Sequence, residues 1–148
     1  ILLFHLLIMI LRCRKNGMGC GDISKQMKTY FKFKTVSATK AGDYYQVMFH
    51  NDQDTDDEPY FMIQSQFEFP DDGECYFESH TEELIEHCKA KSVSLSINKI
   101  NLSYGEELHH EVEIEYDLHG TDFQELVSML KEMIPEIKIE MKPKCKEL

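Results

Sequence analysis

Apolar and polar positions alternate with a period of two along most of the chain from Thr29 onward. Three of these segments are rich in aromatic and β-branched residues and predict strands over residues 29–37, 44–50 and 60–69. Residues 40–43, which include Gly42, predict a tight hairpin turn between the first two segments. The polar residues 51–59 predict a loop, and residues 70–73 predict a further turn.

The alternation continues with four further predicted strands, over residues 74–79, 88–96, 99–104 and 110–118. Residues 81–87 could begin a helix or form an irregular acidic loop, and the loop is the preferred interpretation. The last strand places apolar side chains on one face and carboxylates on the other, namely Val112, Ile114, Tyr116 and Leu118 against Glu111, Glu113, Glu115 and Asp117. Carboxylates without partners are costly inside a core, so this second face is predicted to be wet, as is typical of antiparallel sheets.

The clearest helix covers residues 121–134, where Thr121 and Gln124 form a predicted capping box and Pro135 ends the helix. Residues 137–141 are interpreted as a last strand. The inner stripe of the helix over residues 121–134 is predicted to consist of Phe123, Leu126, Val127, Leu130, Met133 and Ile134. The predicted fold is α+β and mainly β: an antiparallel sheet of about six or seven strands with one C-terminal helix packed on it.

The first eleven residues are apolar apart from His5 and are followed by Arg12, Arg14 and Lys15. As a helix they would extend about 17 Å, against roughly 30 Å of hydrocarbon. The order of apolar and basic residues is the reverse of a signal peptide, which disfavours secretion. Residues 1–26 are interpreted as an extension before the true start, with a partial membrane anchor as the alternative. Residues 27–142 then form one domain, and residues 143–148 a flexible tail.

The charge is distributed unevenly along the chain. Residues 51–136 hold 23 acidic residues against 4 lysines, a net charge of −19, whereas residues 1–50 hold 8 basic residues against 2 aspartates. Such a domain repels nucleic acid and attracts cationic partners. Five cysteines at irregular spacings indicate neither a disulfide framework nor a zinc site, which favours a reducing, cytoplasmic compartment.

Candidate chemistry is sparse. The aspartates of residues 52–58 alternate as in a calcium loop, but Asp57 and Ile63 stand where an EF-hand needs Gly and Glu. There is no nucleophile elbow and no glycine-rich phosphate loop. The histidines show no ligand spacing and are interpreted as surface or edge residues, namely His80, His87, His109 and His110. We therefore predict a protein that is not an enzyme, with no catalytic residues, metal or cofactor.

Acidic residues in the two loops and around one strand are the candidate partner-binding residues. Carboxylates flank Tyr76 at Glu74 and Glu78, and tyrosine beside acid is common in protein interfaces. The predicted set is Asp52, Asp54, Asp56, Asp57, Glu58, Asp71, Asp72, Glu74, Tyr76 and Glu78. The alternative interpretation is a solvated loop without a role, with half-buried tyrosines that belong to the core.

Several short segments resemble one known family. The succession FKFKTVSA, YYQVMFHNDQDTDDEPYFMIQSQFEF, YFES, SVSLSINKINLSY and DFQELVSMLKEMI, over roughly residues 28–134, resembles the immunity protein ten family of bacterial polymorphic toxin systems. The resemblance implies a small, mainly β, cytoplasmic immunity protein that binds a cognate protein toxin and occludes it without catalysis. The acidic charge favours a basic toxin, with neither nucleic acid nor membrane as a partner of the domain.

Two other functions stay open at this point. One is a membrane-tethered accessory protein that uses ILLFHLLIMIL as part of an anchor and its acidic domain to bind a basic partner. The other is a divalent-metal hydrolase that uses the aspartate cluster.

Overall fold

The computed structural model describes residues 26–53, 55–68 and 72–141. The strands in these residues are β1 (Gln26–Lys32), β2 (Thr35–Ala41), β3 (Tyr44–His50), β4 (Tyr60–Gln66), β5 (Cys75–Ser79), β6 (Glu86–Cys88), β7 (Ala90–Leu95), β8 (Lys99–Tyr104), β9 (His109–Glu115) and β10 (Lys138–Ile139). A 3₁₀ helix covers Glu82–Leu84, and the α-helix α1 covers Phe123–Met133. The predicted class, α+β and mainly β with one C-terminal helix, is confirmed.

The strands form two five-stranded sheets instead of the single predicted one. Sheet A has the order β1-β9-β8-β7-β10 and sheet B the order β2-β3-β4-β5-β6. Sheet B is antiparallel throughout, whereas sheet A also contains the parallel pairs β1/β9 and β10/β7. The predicted count of six or seven strands was too low. A period of two indicates which side chains share a face, but it carries no information on which sheet a strand joins.

The predicted strand over residues 29–37 is two strands that belong to different sheets. The chain leaves sheet A at Phe33, whose N–H donates to the Glu115 carbonyl at 2.9 Å. It enters sheet B after Lys34, whose N–H donates to Asn51 Oδ1 at 3.1 Å. Phe33 is buried in the core, so the apolar alternation runs through the break and conceals it.

The segment predicted as an acidic loop over residues 81–87 is partly regular. It contains the 3₁₀ helix and the start of β6, which is separated from β7 at Lys89. Leu84 is fully buried, and its carbonyl accepts a hydrogen bond from the Tyr104 hydroxyl at 2.5 Å. This contact between sheet A and the 3₁₀ helix gives a polar segment its fixed position.

The core lies between the inner faces of the two sheets. Aromatic pairs connect the sheets. The rings of Phe49 and Tyr116 meet edge to face with their centroids 5.3 Å apart, and the rings of Phe77 and Tyr104 stack with their centroids 4.0 Å apart. Along β9 the residues Val112 and Ile114 are buried while the glutamates between them stay accessible, so the predicted wet face is confirmed.

Helix α1 is shorter than predicted and has a different cap. The N-cap is Asp122, whose Oδ1 accepts from the Gln124 N–H at 2.7 Å. Thr121 instead donates its hydroxyl to the Val36 carbonyl at 2.6 Å, a contact with sheet B. The predicted capping box is therefore wrong. The predicted inner stripe is confirmed: Phe123 is partly buried against the core, and the others are buried, namely Leu126, Val127, Leu130, Met133 and Ile134.

Several features named from the sequence lie outside the described residues. They are the N-terminal apolar segment with its basic flank, Asp54, residues 69–71 and the tail from residue 142. Strand β1 begins at Gln26, one residue inside the segment interpreted as an extension. The described residues include no helix with the length and apolar character that crossing a membrane requires.

Candidate partner-binding surface

The outer face of sheet B is the surface formed by the side chains that alternate with the core positions. In β3 the residues Val47 and Phe49 are fully buried, while Gln46 and Met48 point to the opposite side and are partly exposed. Strand register extends this alternation across the sheet. We define the sheet B outer face as Tyr44, Gln46, Met48, His50, Tyr60, Met62, Gln64, Gln66, Tyr76 and Glu78.

This face is almost free of charge in a strongly acidic domain. Glu78 is the only acidic residue in strands β2 to β5. Protein interfaces are typically depleted of charged residues at their centre and enriched in tyrosine and methionine, the side chains that dominate here together with glutamine. Met62 is only 7% exposed although it lies outside the core cluster, and Gln46 Nε2 approaches its sulfur at 2.8 Å.

The two predicted acidic loops lie at opposite ends of the sheet B outer face. His50 pairs with Tyr60 at one end of β3/β4, and Tyr44 pairs with Gln66 at the other. Loop 51–59 connects the strands at the first end, and turn 67–74 leaves β4 at the second. Six residues of strand separate the two ends by about 20 Å. The predicted residues therefore do not form one patch: the loops frame the face, and Tyr76 and Glu78 lie on it.

The exposed carboxylates at the His50 end come from two segments. Asp52, Asp56 and Asp57 are exposed in the loop, and Asp54 lies outside the described residues. The 3₁₀ helix adds Glu82 and Glu83, both exposed, because β5 runs back to this end before the helix begins. Sequence reasoning missed these two glutamates, although the hairpin order of β4 and β5 places them there.

Glu58 has a structural role within its loop. Its Oε1 accepts hydrogen bonds from the backbone N–H groups of Asn51 at 2.7 Å and Gln53 at 3.0 Å. The same oxygen lies 4.0 Å from His50 Nδ1, and the side chain is 15% exposed. This carboxylate therefore faces inward and holds the loop in shape, and its predicted contact with a partner stays a prediction.

Replacing Glu58 with alanine should loosen the loop. Two backbone donors lose their acceptor, which we expect to lower the free energy of unfolding by about 1–3 kcal/mol. Urea denaturation measures this change, and amide exchange at Asn51 and Gln53 should accelerate. Asp57→Ala is the matched control, since Asp57 is exposed in the same loop and its loss should change stability by less than about 0.5 kcal/mol. Equal losses in the two variants would contradict the assignment.

The Tyr44 end of the face carries the second set of acids. Asp72 is exposed, and Glu74 Oε2 lies 3.8 Å from His87 Nε2 on β6. Asp71 lies outside the described residues. Lys40 adds one cation at this end, with its Nζ 4.3 Å from the Phe67 ring centroid.

The outer face of sheet A has a different electrostatic character. Register places Lys28 beside Glu111 and Lys32 beside Glu115, and Lys99 Nζ lies 3.2 Å from Glu113 Oε1. This face also forms an open groove of about 810 Å³. Because lysines neutralise the glutamates of β9, the acidic surplus belongs mainly to the loops and not to the sheets.

One serine, one histidine and one glutamate meet at the edge of that groove. Ser103 Oγ and Glu111 Oε1 both lie 3.2 Å from His109 Nε2, and Lys91 Nζ lies 3.2 Å from Nδ1. In a Ser-His-acid relay the serine and the acid take opposite ring nitrogens. The cluster therefore lacks the geometry of that relay.

His110 is buried, contrary to the prediction that the histidines lie at the surface or at an edge. It is 2% exposed, and its Nε2 lies 3.5 Å from Glu86 Oε2. The centroid of its ring lies 4.9 Å from the centroid of the Tyr104 ring. The sequence contained this information. His110 alternates with the same period of two as the buried Val112 and Ile114, so the three side chains share one face of β9.

Cys75 and Cys88 are free thiols that face each other across β5 and β6 within the core. Burial raises the pKa of Cys75 to about 12 and that of Cys88 to about 11. Since the thiolate is the reactive form, these environments disfavour nucleophilic chemistry at both sulfurs.

Within residues 26–53, 55–68 and 72–141, no three His, Cys, Asp or Glu side chains are grouped as a metal site requires. Comparison of the chain with known protein families and with characterised proteins found no match.

Proposed function

We propose that this chain is an immunity protein that binds a cognate protein toxin and neutralises it by occlusion, without catalysis. The observation that carries the proposal is the sheet B outer face, a nearly uncharged surface of tyrosine, methionine and glutamine framed at both ends by acidic loops. This matches the anatomy of a protein interface, which has an uncharged centre and a charged rim.

The size of the face indicates how the loops take part. Three strands of five to seven residues give a face of about 15 by 20 Å. A standard interface buries about 800 Å² on each partner, so the face alone is too small and the flanking loops must contribute contacts. A partner surface with basic margins fits this arrangement, because its margins would meet the acidic loops while its centre meets the face. Loop carboxylates would then steer association, and the face would hold the complex.

Co-expression with a candidate toxin, encoded by a gene next to that of this chain, tests the proposal. We expect cells that express both proteins to survive, and the purified pair to form a complex measurable by calorimetry. Gln46 and Gln64 are cross-strand partners at the centre of the face, and changing both to lysine should abolish protection. The matched control changes the cross-strand partners Ser94 and Asn101 of sheet A to lysine and should leave protection intact. Survival with the first variant, or toxicity with the wild-type chain, would refute the proposal.

A further inference from the structure

Two tyrosines converge on Glu78, the only carboxylate of the sheet B outer face. The Tyr60 hydroxyl donates a hydrogen bond to Glu78 Oε1 at 2.7 Å. Tyr76, two residues before Glu78 on β5, lies on the same face and interacts electrostatically with this carboxylate. Burial, followed by the hydrogen bond to Glu78 and its charge, raises the pKa of Tyr60, and burial followed by that charge raises the pKa of Tyr76. Both phenols are therefore neutral.

These contacts hold a negative charge at a defined point of the face. A carboxylate offers about four lone-pair sites, so the hydrogen bond from Tyr60 leaves Glu78 able to accept further hydrogen bonds. Each phenol that donates to an anion is polarised and gains electron density. The rings of Tyr60 and Tyr76 lie on the same sheet face as the carboxylate, and electron-rich rings attract cations.

We propose that Tyr60, Tyr76 and Glu78 form a binding site for one arginine side chain presented by the protein partner. This inference rests on the proposed function and specifies the group that the face recognises. A guanidinium is planar, donates two parallel hydrogen bonds to a carboxylate and stacks on aromatic rings. Tyrosine and arginine are also the residues most often found at energetically dominant positions of interfaces.

Arginine is favoured over lysine by the components of the site. An ammonium is a compact, strongly hydrated charge that gains little from a flat aromatic surface. Near the middle of the face Met62, only 7% exposed and the cross-strand partner of Glu78, adds an apolar floor that suits the weakly hydrated guanidinium. The acidic loops attract any cation over a longer range, whereas this site selects one side chain at contact.

The test uses N-acetyl-arginine amide as the probe in an NMR titration of the full chain. We expect saturable shifts centred on the Glu78 carboxyl carbon and on the rings of Tyr60 and Tyr76. N-acetyl-citrulline amide has nearly the same shape without the charge and should give no saturable shift. N-acetyl-lysine amide should bind about 10-fold more weakly than the arginine probe, and equal binding would overturn the assignment to a guanidinium.

Amino-acid substitutions provide a second, independent test of the arginine site. Glu78→Gln keeps the shape and removes the charge, and it should weaken binding of the arginine probe at least about 10-fold. Glu113→Gln is the control: Glu113 is also a half-exposed strand glutamate but lies beside Lys99 on sheet A, and its loss should leave the affinity unchanged. Shifts spread evenly over the acidic loops, or unchanged by Glu78→Gln, would refute the site. The ligand comparison decides the question even if that variant does not fold.

The two proposals can fail separately. If the arginine probe does not bind at Glu78 but the toxin complex forms and is lost on changing Gln46 and Gln64 to lysine, the arginine site is wrong and the immunity function stands. If the probe binds at Glu78 and no toxin is neutralised, the site stands and the proposed function is wrong.

Discussion

Reversing the charge of the acidic loop at the His50 end is expected to slow association with the toxin by about 10- to 100-fold at low ionic strength. The variant changes Asp56 and Asp57 to lysine and Asp52 to asparagine. Asparagine is chosen because Asp52 has a φ of +55°, a conformation that asparagine tolerates well. Exposed loop charges act mainly on diffusional encounter, so the rate of dissociation should change much less. Stopped-flow measurements at several salt concentrations separate the two rates.

Salt and a charge-matched control identify the cause of the slower association. At physiological ionic strength the Debye length is about 8 Å, so the difference between variant and wild type should shrink as salt rises. The control changes Glu136 and Glu140 to lysine and Glu132 to glutamine, all exposed and close to the C-terminal end of the domain. It alters the net charge equally but away from the loop. An equal loss of rate in the control would show that only total charge matters.

Replacing Gly105 with alanine is expected to destabilise the fold by about 3 kcal/mol. Gly105 follows β8 with a φ of +112°, and a Cβ atom there would lie 2.0 Å from the Leu108 carbonyl oxygen and 3.1 Å from the His110 ring. The loop would have to move, and this would disturb the hydrogen bond from the Glu106 N–H to Glu86 Oε1 at 3.0 Å. Chemical denaturation monitored by tyrosine fluorescence measures the loss.

Gly120→Ala separates steric collision from backbone strain. Gly120 also has a positive φ, +92°, but a Cβ atom there would meet nothing within 4 Å. Its substitution should cost only about 1 kcal/mol, the strain of that conformation for a residue with a side chain. If both variants lose the same stability, the contact with Leu108 is not the reason that glycine is required at residue 105.

The placement of the candidate surface could be predicted only in part. Alternation along β3 and β4 separates two sets of side chains, but both sets contain large apolar or aromatic residues such as Met48 and Phe49, so the pattern alone does not say which set faces the core. The acidic loops were evident from composition. Their position at opposite ends follows from the hairpin order, because successive loops of an antiparallel sheet alternate between its two ends.

Local sequence determined the elements whose stability depends on near neighbours. Helix α1 follows from its 3.6-residue apolar period and from Pro135, and the wet face of β9 follows from its alternating glutamates. Tertiary structure alone decided the rest. Whether Thr121 or Asp122 caps the helix depends on a carbonyl at Val36, far away in the chain. The division of strands between two sheets and the convergence of Tyr60 and Tyr76 on Glu78 depend on pairings across turns and loops, since their energies come from contacts that no local pattern contains.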